Sequence, residues 1–139
     1  MLVRCLYASR ITQPAPDSLL KDILDQSWRN NIATGITGLL CHDAKLFIQV
    51  IEGGRDEVSQ RLSTIMKDTR HHDITLLLFE EIAERTFPTW TMGQINMAKL
   101  NSGVLLKYST RPELDPFNMP GHATLALISE LMANGAISK

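Results

Sequence analysis

The sequence has no excess charge of one sign. Its 14 basic and 15 acidic residues leave a net charge of −1, so it carries neither the basic footprint of a nucleic-acid binder nor the Lys/Arg cluster of a membrane-surface protein. Aromatic residues are few, 6% of the chain, and without positive charge they give no stacking platform for RNA. No apolar run approaches the ~18 residues of a membrane span. The N-terminus, Met1-Leu2-Val3-Arg4-Cys5, lacks the apolar core and cleavage site of a secretion signal, which sets a cytoplasmic expectation. There are only two cysteines, Cys5 and Cys41, each inside an apolar run. A disulfide, a pair of metal ligands and reduced core residues are the three options, and the last fits a chain without a secretion signal.

Enzyme signatures are missing too. There is no Gly-x-x-x-x-Gly-Lys-Ser/Thr loop, no Gly-x-Gly-x-x-Gly turn and no Gly-x-Ser-x-Gly elbow. None of His42, His71, His72 and His122 stands at metal-ligand spacing from another His or Cys. What is present is ordinary for a globular domain: 44% hydrophobic and 21% charged residues in 139, enough for one domain with a short appendage.

The periodicities give an order of elements. Residues 2–8 read as a strand, and Pro14 and Pro16 mark a loop. Leu19, Leu20, Ile23, Leu24 and Trp28 recur at helical spacing, and the helix is expected to end near Asn30–Asn31. Residues 35–41 and 46–52 form a hairpin around His42–Lys45. After Gly53-Gly54 comes a second helix with Val58, Leu62, Ile65 and Met66 on its buried face, then a strand over Ile74–Phe79 and a short one around Thr89–Gln94. This βαββαββ order predicts an α+β, ferredoxin-like mixed sheet with two helices on one face. The expected division is 1–95 for this domain and 96–139 for a C-terminal helical extension. Within the extension, Met97–Tyr108 reads as one helix and Thr124–Ala133 as another, with Leu125, Ile128, Leu131 and Met132 on one stripe and Gly135 as its stop.

Strand alternation then singles out polar residues in apolar surroundings. Phe47, Gln49 and Ile51 share one face of the third strand, and Leu46, Ile48 and Val50 share the other. An amide on a strand covered from both sides must be hydrogen-bonded, since leaving it unpaired costs about 1–3 kcal/mol. Tyr7 poses the same demand on the first strand, and Trp90 and Met92 share a face of the fifth. Taken singly, each has a structural explanation: a core phenol bonded to backbone, an internal polar link, an Asn pair closing a helix. Together with Asn30 and Asn31 at one helix end and Asp68, Arg70 and His71 at the other, they outline a slot. Amides, a phenol and a guanidinium would line it between apolar walls of Ile23, Phe47 and Ile65, which suits a flat heteroaromatic ring with an amide-like edge.

The residues carrying these features resemble the BLUF family, blue-light sensors that use a flavin. The matching segments are Leu6-Tyr7-Ala8-Ser9, Ile23 through Asn31, Gly35-Ile36-Thr37-Gly38-Leu39-Leu40, Phe47 through Gly53, Asp68-Thr69-Arg70-His71, and Arg85 through Gly93. They run in order from residue 2 to about 95; Trp28, where a polar residue is common, departs from the pattern.

The resemblance implies a role for each residue. Tyr7 would give an electron to the photoexcited flavin, and Gln49 would stand between Tyr7 and the N5/C4 carbonyl edge. Asn31 would meet the C4 carbonyl and N3 edge, with Asn30 and Ser27 nearby. Arg70 would face the C2 carbonyl, Asp68 the ribityl chain and His71 the ring. Trp90 and Met92 would be the moving elements of strand five, and Ile23, Phe47 and Ile65 the walls. The implied cofactor is FAD, with FMN or riboflavin as alternatives. The implied activity is signalling without turnover, passed through the C-terminal helices to a separate downstream protein, with homo-oligomerisation expected and neither nucleic acid nor membrane as partner. A light-independent small-ligand-binding or interaction module on the same fold is the rival reading. A phosphate-cradling hydrolase is a weaker one, for the stretch after strand one supplies a single Arg10 and no glycine.

Overall fold

In the computed structural model, residues 1–12, 17–88, 92–134 and 137–138 are described, with backbone alone at 17–19, 28, 137 and 138. Strand β1 (Leu2–Ile11) occupies the interior of the sheet, and its near-continuous apolar run reflects cover on both faces. Helix α1 spans Asp17–Thr34, β2 Thr37–His42, β3 Leu46–Gly54, α2 Arg55–Met66 and β4 His71–Ile82. Strand β5 (Gly93–Asn96), helices α3 (Ser102–Tyr108) and α4 (Gly121–Ala133), and the two-residue β6 (Ile137–Ser138) complete the order. The six strands lie in the order β4-β1-β3-β2-β5-β6. β2 and β5 pair in parallel and every other neighbouring pair is antiparallel, so the expected mixed, ferredoxin-like sheet is present.

Alternation along the strands divides the interior into two cores. Val3, Cys5, Phe47 and Ile51 face α1 and α2, packing with Val58, Leu20, Ile23, Leu24, Leu62 and Ile65. Leu6, Ala8, Ile48 and Val50 face the other way, against Leu105, Leu127, Ile128 and Leu131 of the C-terminal helices. Thus α1 and α2 share one face, and the stripe of α4 covers the opposite one. Cys5 and Cys41 are buried, with no disulfide between them. Among the described residues no helix is long and apolar enough to cross a membrane.

Several element ends differ from the sequence reading, each for a local reason. Helix α1 does not stop at Asn30–Asn31 but runs to Thr34, where Gly35 adopts φ +71°. The Ile36 N–H then donates to the Asn31 carbonyl at 3.2 Å, a Schellman closure that a glycine satisfies better than asparagine. Strand β4 is twice the expected length, because the polar ends His71–Asp73 and Glu80–Glu81 lie on an edge strand that follows β1 throughout. β5 spans Gly93–Asn96; the start expected near Thr89 falls on residues 89–91, which lie outside the described ones. Helix α3 starts only at Ser102, since Asn101 caps it by accepting from the Gly103 N–H at 2.7 Å. Helix α4 begins at Gly121, three residues before the expected start. Met66, expected on the buried face of α2, is exposed, being rotated about 100° from Ile65. The Gly135 stop lies outside the described residues, and β6 was not expected.

Candidate functional site

Three strands build the floor of a cleft. Gln49 on β3 is in register with Tyr7 of β1 on one side and Leu40 of β2 on the other. The β1–β4 pairing slips between Leu6 and Tyr7, a bulge of the kind that re-aims side chains at functional sites. The Tyr7 hydroxyl donates to Gln49 Oε1. At its other end the Gln49 amide donates to Met92 Sδ at 3.4 Å. A thioether only accepts, so this bond fixes which end of the amide carries hydrogen. Tyr7, Gln49 and Met92 are all buried. Burial, with the neighbouring Cys5 and Asp68, pushes the Tyr7 phenol well above its ordinary pKa, so it is a neutral donor at physiological pH.

Helices α1 and α2 form the walls. The cleft encloses about 680 Å³ when the open space at its mouth is counted. The Schellman closure described above holds Asn31, which is buried and lines the cleft. Beyond the end of α2, Arg70 is pinned to Asp68. Its Nε lies 2.9 and 3.0 Å from the two carboxylate oxygens and its Nη2 2.5 Å from one. That pairing holds the Asp68 carboxyl below the usual range. His71 is fixed from both sides, with Nδ1 2.6 Å from Ser9 Oγ and Nε2 2.9 Å from the Ile65 carbonyl. A carbonyl only accepts, so Nε2 carries hydrogen. The ring stands edge-on to Tyr7 and Phe47, with centroids 6.3 and 6.2 Å away.

Of the residues expected from sequence, Tyr7, Ile23, Ser27, Asn31, Phe47, Gln49, Ile65, Asp68, Arg70, His71 and Met92 meet in this one cleft. Asn30 does not line it. The helix continues past it, so its side chain is turned about 100° from Asn31 and is exposed. Trp90 lies outside the described residues, as does the Trp28 side chain. The sequence reading missed Gln26, Leu40, Ile51, Arg61 and Thr64. Helical spacing from Ile23 and from Ile65, strand alternation from Gln49 and pairing from β2 were the signals that could have found them. Apolar walls, an amide floor and one ion-paired guanidinium fit a flat ring with alternating carbonyl and N–H groups.

The family model described as "BLUF: Sensors of blue-light using FAD" matches residues 2–93. The chain belongs to the BLUF family. A photoactivated adenylate cyclase subunit beta from Euglena gracilis is 35% identical over 92 residues, 66% of this chain and 11% of that protein. The blue light- and temperature-regulated antirepressor BluF of Escherichia coli (strain K12) is 29% identical over 87 residues, 63% of this chain and 22% of that one. The chain therefore spans only about a tenth to a fifth of these two relatives. Several solved structures match along nearly the whole chain, among them two of similar length. The photo-activated state of BlsA has a TM-score of 0.85 at 28% identity, covering 95% of each chain. The dark state of BlrB, a BLUF protein, has a TM-score of 0.77 at 28% identity, covering 96% of each. The likeness to BLUF structures thus extends through the C-terminal helices, and the Tyr7–Gln49–Met92 row lies inside the segment that the BLUF model spans.

Proposed function

We propose that this BLUF chain is a photoreceptor whose output is a rearranged hydrogen bond at Gln49 and not a chemical product. The observation that carries the reading is the row Tyr7–Gln49–Met92 along the cleft floor. A flavin in this cleft supplies a strong one-electron oxidant under blue light. Tyr7 is the donor the floor offers, a neutral phenol whose O–H already points at an acceptor. A phenol that has lost an electron is strongly acidic, so its proton passes along that bond to Gln49 Oε1. When electron and proton return, Tyr7 is restored and nothing has been consumed. The amide is left turned if Oε1 returns the proton it received, or in its imidic form if Oε1 keeps that proton and the nitrogen end gives one back in its place; its far end is tethered only to a weak thioether acceptor.

The remaining assignments rest on the same geometry. Asn31, Gln49 and Arg70 would hold the polar edge of the ring, with Ser27 beside them and Asp68 steadying Arg70. Ile23, Phe47, Ile65 and His71 would pack its faces. FAD is the flavin of the family description; FMN and riboflavin share the ring that these residues contact. Named relatives are a photoactivated adenylate cyclase subunit and a blue light- and temperature-regulated antirepressor. We read residues 1–95 as the sensor and 96–139 as the segment that passes the signal to a separate protein. A direct test is to illuminate the purified chain with blue light. The account expects yellow protein whose flavin bands shift to the red and recover in the dark. Yellow protein with no shift would contradict the photochemical reading, and colourless protein after exposure to flavin would contradict flavin binding and favour the light-independent module.

A further inference from the structure

The cleft contains a second guanidinium, Arg61, whose Nε has no hydrogen-bond partner among the described residues. Arg61, Thr64 and Ile65 follow one another at i, i+3 and i+4 along α2, and all three line the cleft. Thr64 and, across from it on α1, Gln26 are exposed although they line the cleft, so they mark its mouth. Arg61 stands one turn before Thr64 at that mouth. Its Nε is shut off from solvent and has no hydrogen-bond acceptor among the described residues. Other arginines are differently placed: Arg29 and Arg111 are exposed, and the remaining five have partners. Arg4 pairs with Glu52 and Glu80, Arg55 with Glu81, Arg10 with Asp73 and Arg70 with Asp68, and Arg85 donates to the carbonyls of Gly35 and Glu52. Burial also lowers the proton affinity of Arg61, the mark of a cation without a counter-charge.

Resting on the flavin reading above, we infer that Arg61 binds the phosphoryl group of a flavin nucleotide at the cleft mouth and so selects FMN or FAD over riboflavin. The polar edge of the ring would already be met from the floor by Gln49, from α1 by Asn31 and from beyond the end of α2 by Arg70. A side chain at the mouth, by contrast, faces whatever leaves the cleft towards solvent. A guanidinium fork matches phosphate oxygens in charge and geometry, and no carboxylate of the described residues competes for it. Sequence alone hides this role, because a charged residue in the middle of a helix reads as part of a solvated face.

Flavin-fluorescence titration of the full chain with riboflavin, FMN and FAD tests the assignment, comparing the unaltered protein with Arg61→Gln and Arg61→Lys. The expected result is that the unaltered chain binds the two nucleotides at least about tenfold more tightly than riboflavin. Arg61→Gln should bring both down to the riboflavin level while leaving riboflavin itself unchanged. Arg61→Lys, which keeps the charge without the fork, should fall between. Equal weakening of all three flavins in both variants would place Arg61 on the ring or in the fold and overturn the assignment, as would no change in any. If the unaltered chain takes up none of the three, the flavin reading itself has failed and the assignment goes with it.

Discussion

At the scale of single residues, the account turns on which groups hold their protons. Tyr7 must be a neutral phenol in the dark, and its burial among apolar strands ensures that. Replacing it with Phe keeps the ring, so the cleft keeps its shape and flavin should still bind. The red-shifted state should be lost, as checked by difference absorption under continuous blue light; a full shift in Tyr7→Phe would remove Tyr7 from its role. The same burial acts on the two thiols. Cys5 and Cys41 are pushed up from 9.0 to about 12 by desolvation alone. Their folded-state pKa is raised, so the stability they carry is fully present below about pH 9 and is lost as pH rises towards 12. Tyr7 adds to the loss in the same direction. A melting series from neutral to strongly alkaline pH should therefore show Tm falling steadily from about pH 9 upward, and a flat profile would contradict this burial. Tyr7 and Gln49 were legible in the sequence because strand alternation exposes a polar residue among apolar neighbours. Arg61 was not, since helical spacing does not tell a solvated cation from one at the mouth of a cleft.

At the scale of elements, one carboxylate organises the approach to β5. Glu52, two residues before the end of β3, is fully buried. It accepts from Arg4 Nε at 2.9 Å and from the Thr86 and Phe87 backbone N–H groups at 2.9 and 2.7 Å. Arg85 adds a bond to the Glu52 carbonyl at 3.4 Å. Residues 85–87 are thus tied to the same strand that carries Gln49. Glu52→Ala would leave Arg4 with Glu80 and the Thr86 hydroxyl and would unpair the Thr86 and Phe87 N–H groups, a loss of roughly 3–5 kcal/mol. Urea denaturation measures it, and a change under about 1 kcal/mol would show that the network is not needed. The sequence predicted the type and order of β1 to β4 and of both long helices because their apolar spacing is regular. The ends escaped it where a tertiary contact decides: the Gly35 closure of α1, the Asn101 cap of α3, and the pairing that carries β4 past its polar ends. A contact of the same kind fixes the start of α4, where a Cβ on Gly121 would stand 2.5 Å from the Leu77 carbonyl.

At the scale of the whole molecule, the sheet separates two cores. The cleft opens among α1 and α2 on one side, and α4 covers the other through Leu127, Ile128 and Leu131. The segment Met92–Met97, with β5 at its centre, belongs to both: Met92 touches Gln49 in the cleft, while Ile95 and Met97 pack in the core beneath α4. A hydrogen bond that changes hands is worth only about 1 kcal/mol, so it redirects an output only where an element is nearly balanced between two placements. The short β5 and the helices that follow it are the element placed to be biased in that way. The family resemblance was legible over the first two-thirds of the chain, where motifs carry it. The seat of α4 was legible only as a stripe, because an apolar stripe does not say what it covers. The most direct test of the central claim is the blue-light difference spectrum of the full chain carrying Gln49→Leu. The account predicts flavin bound as before and no red-shifted state, whereas a red shift like that of the unaltered chain would show that the signal does not begin at this amide.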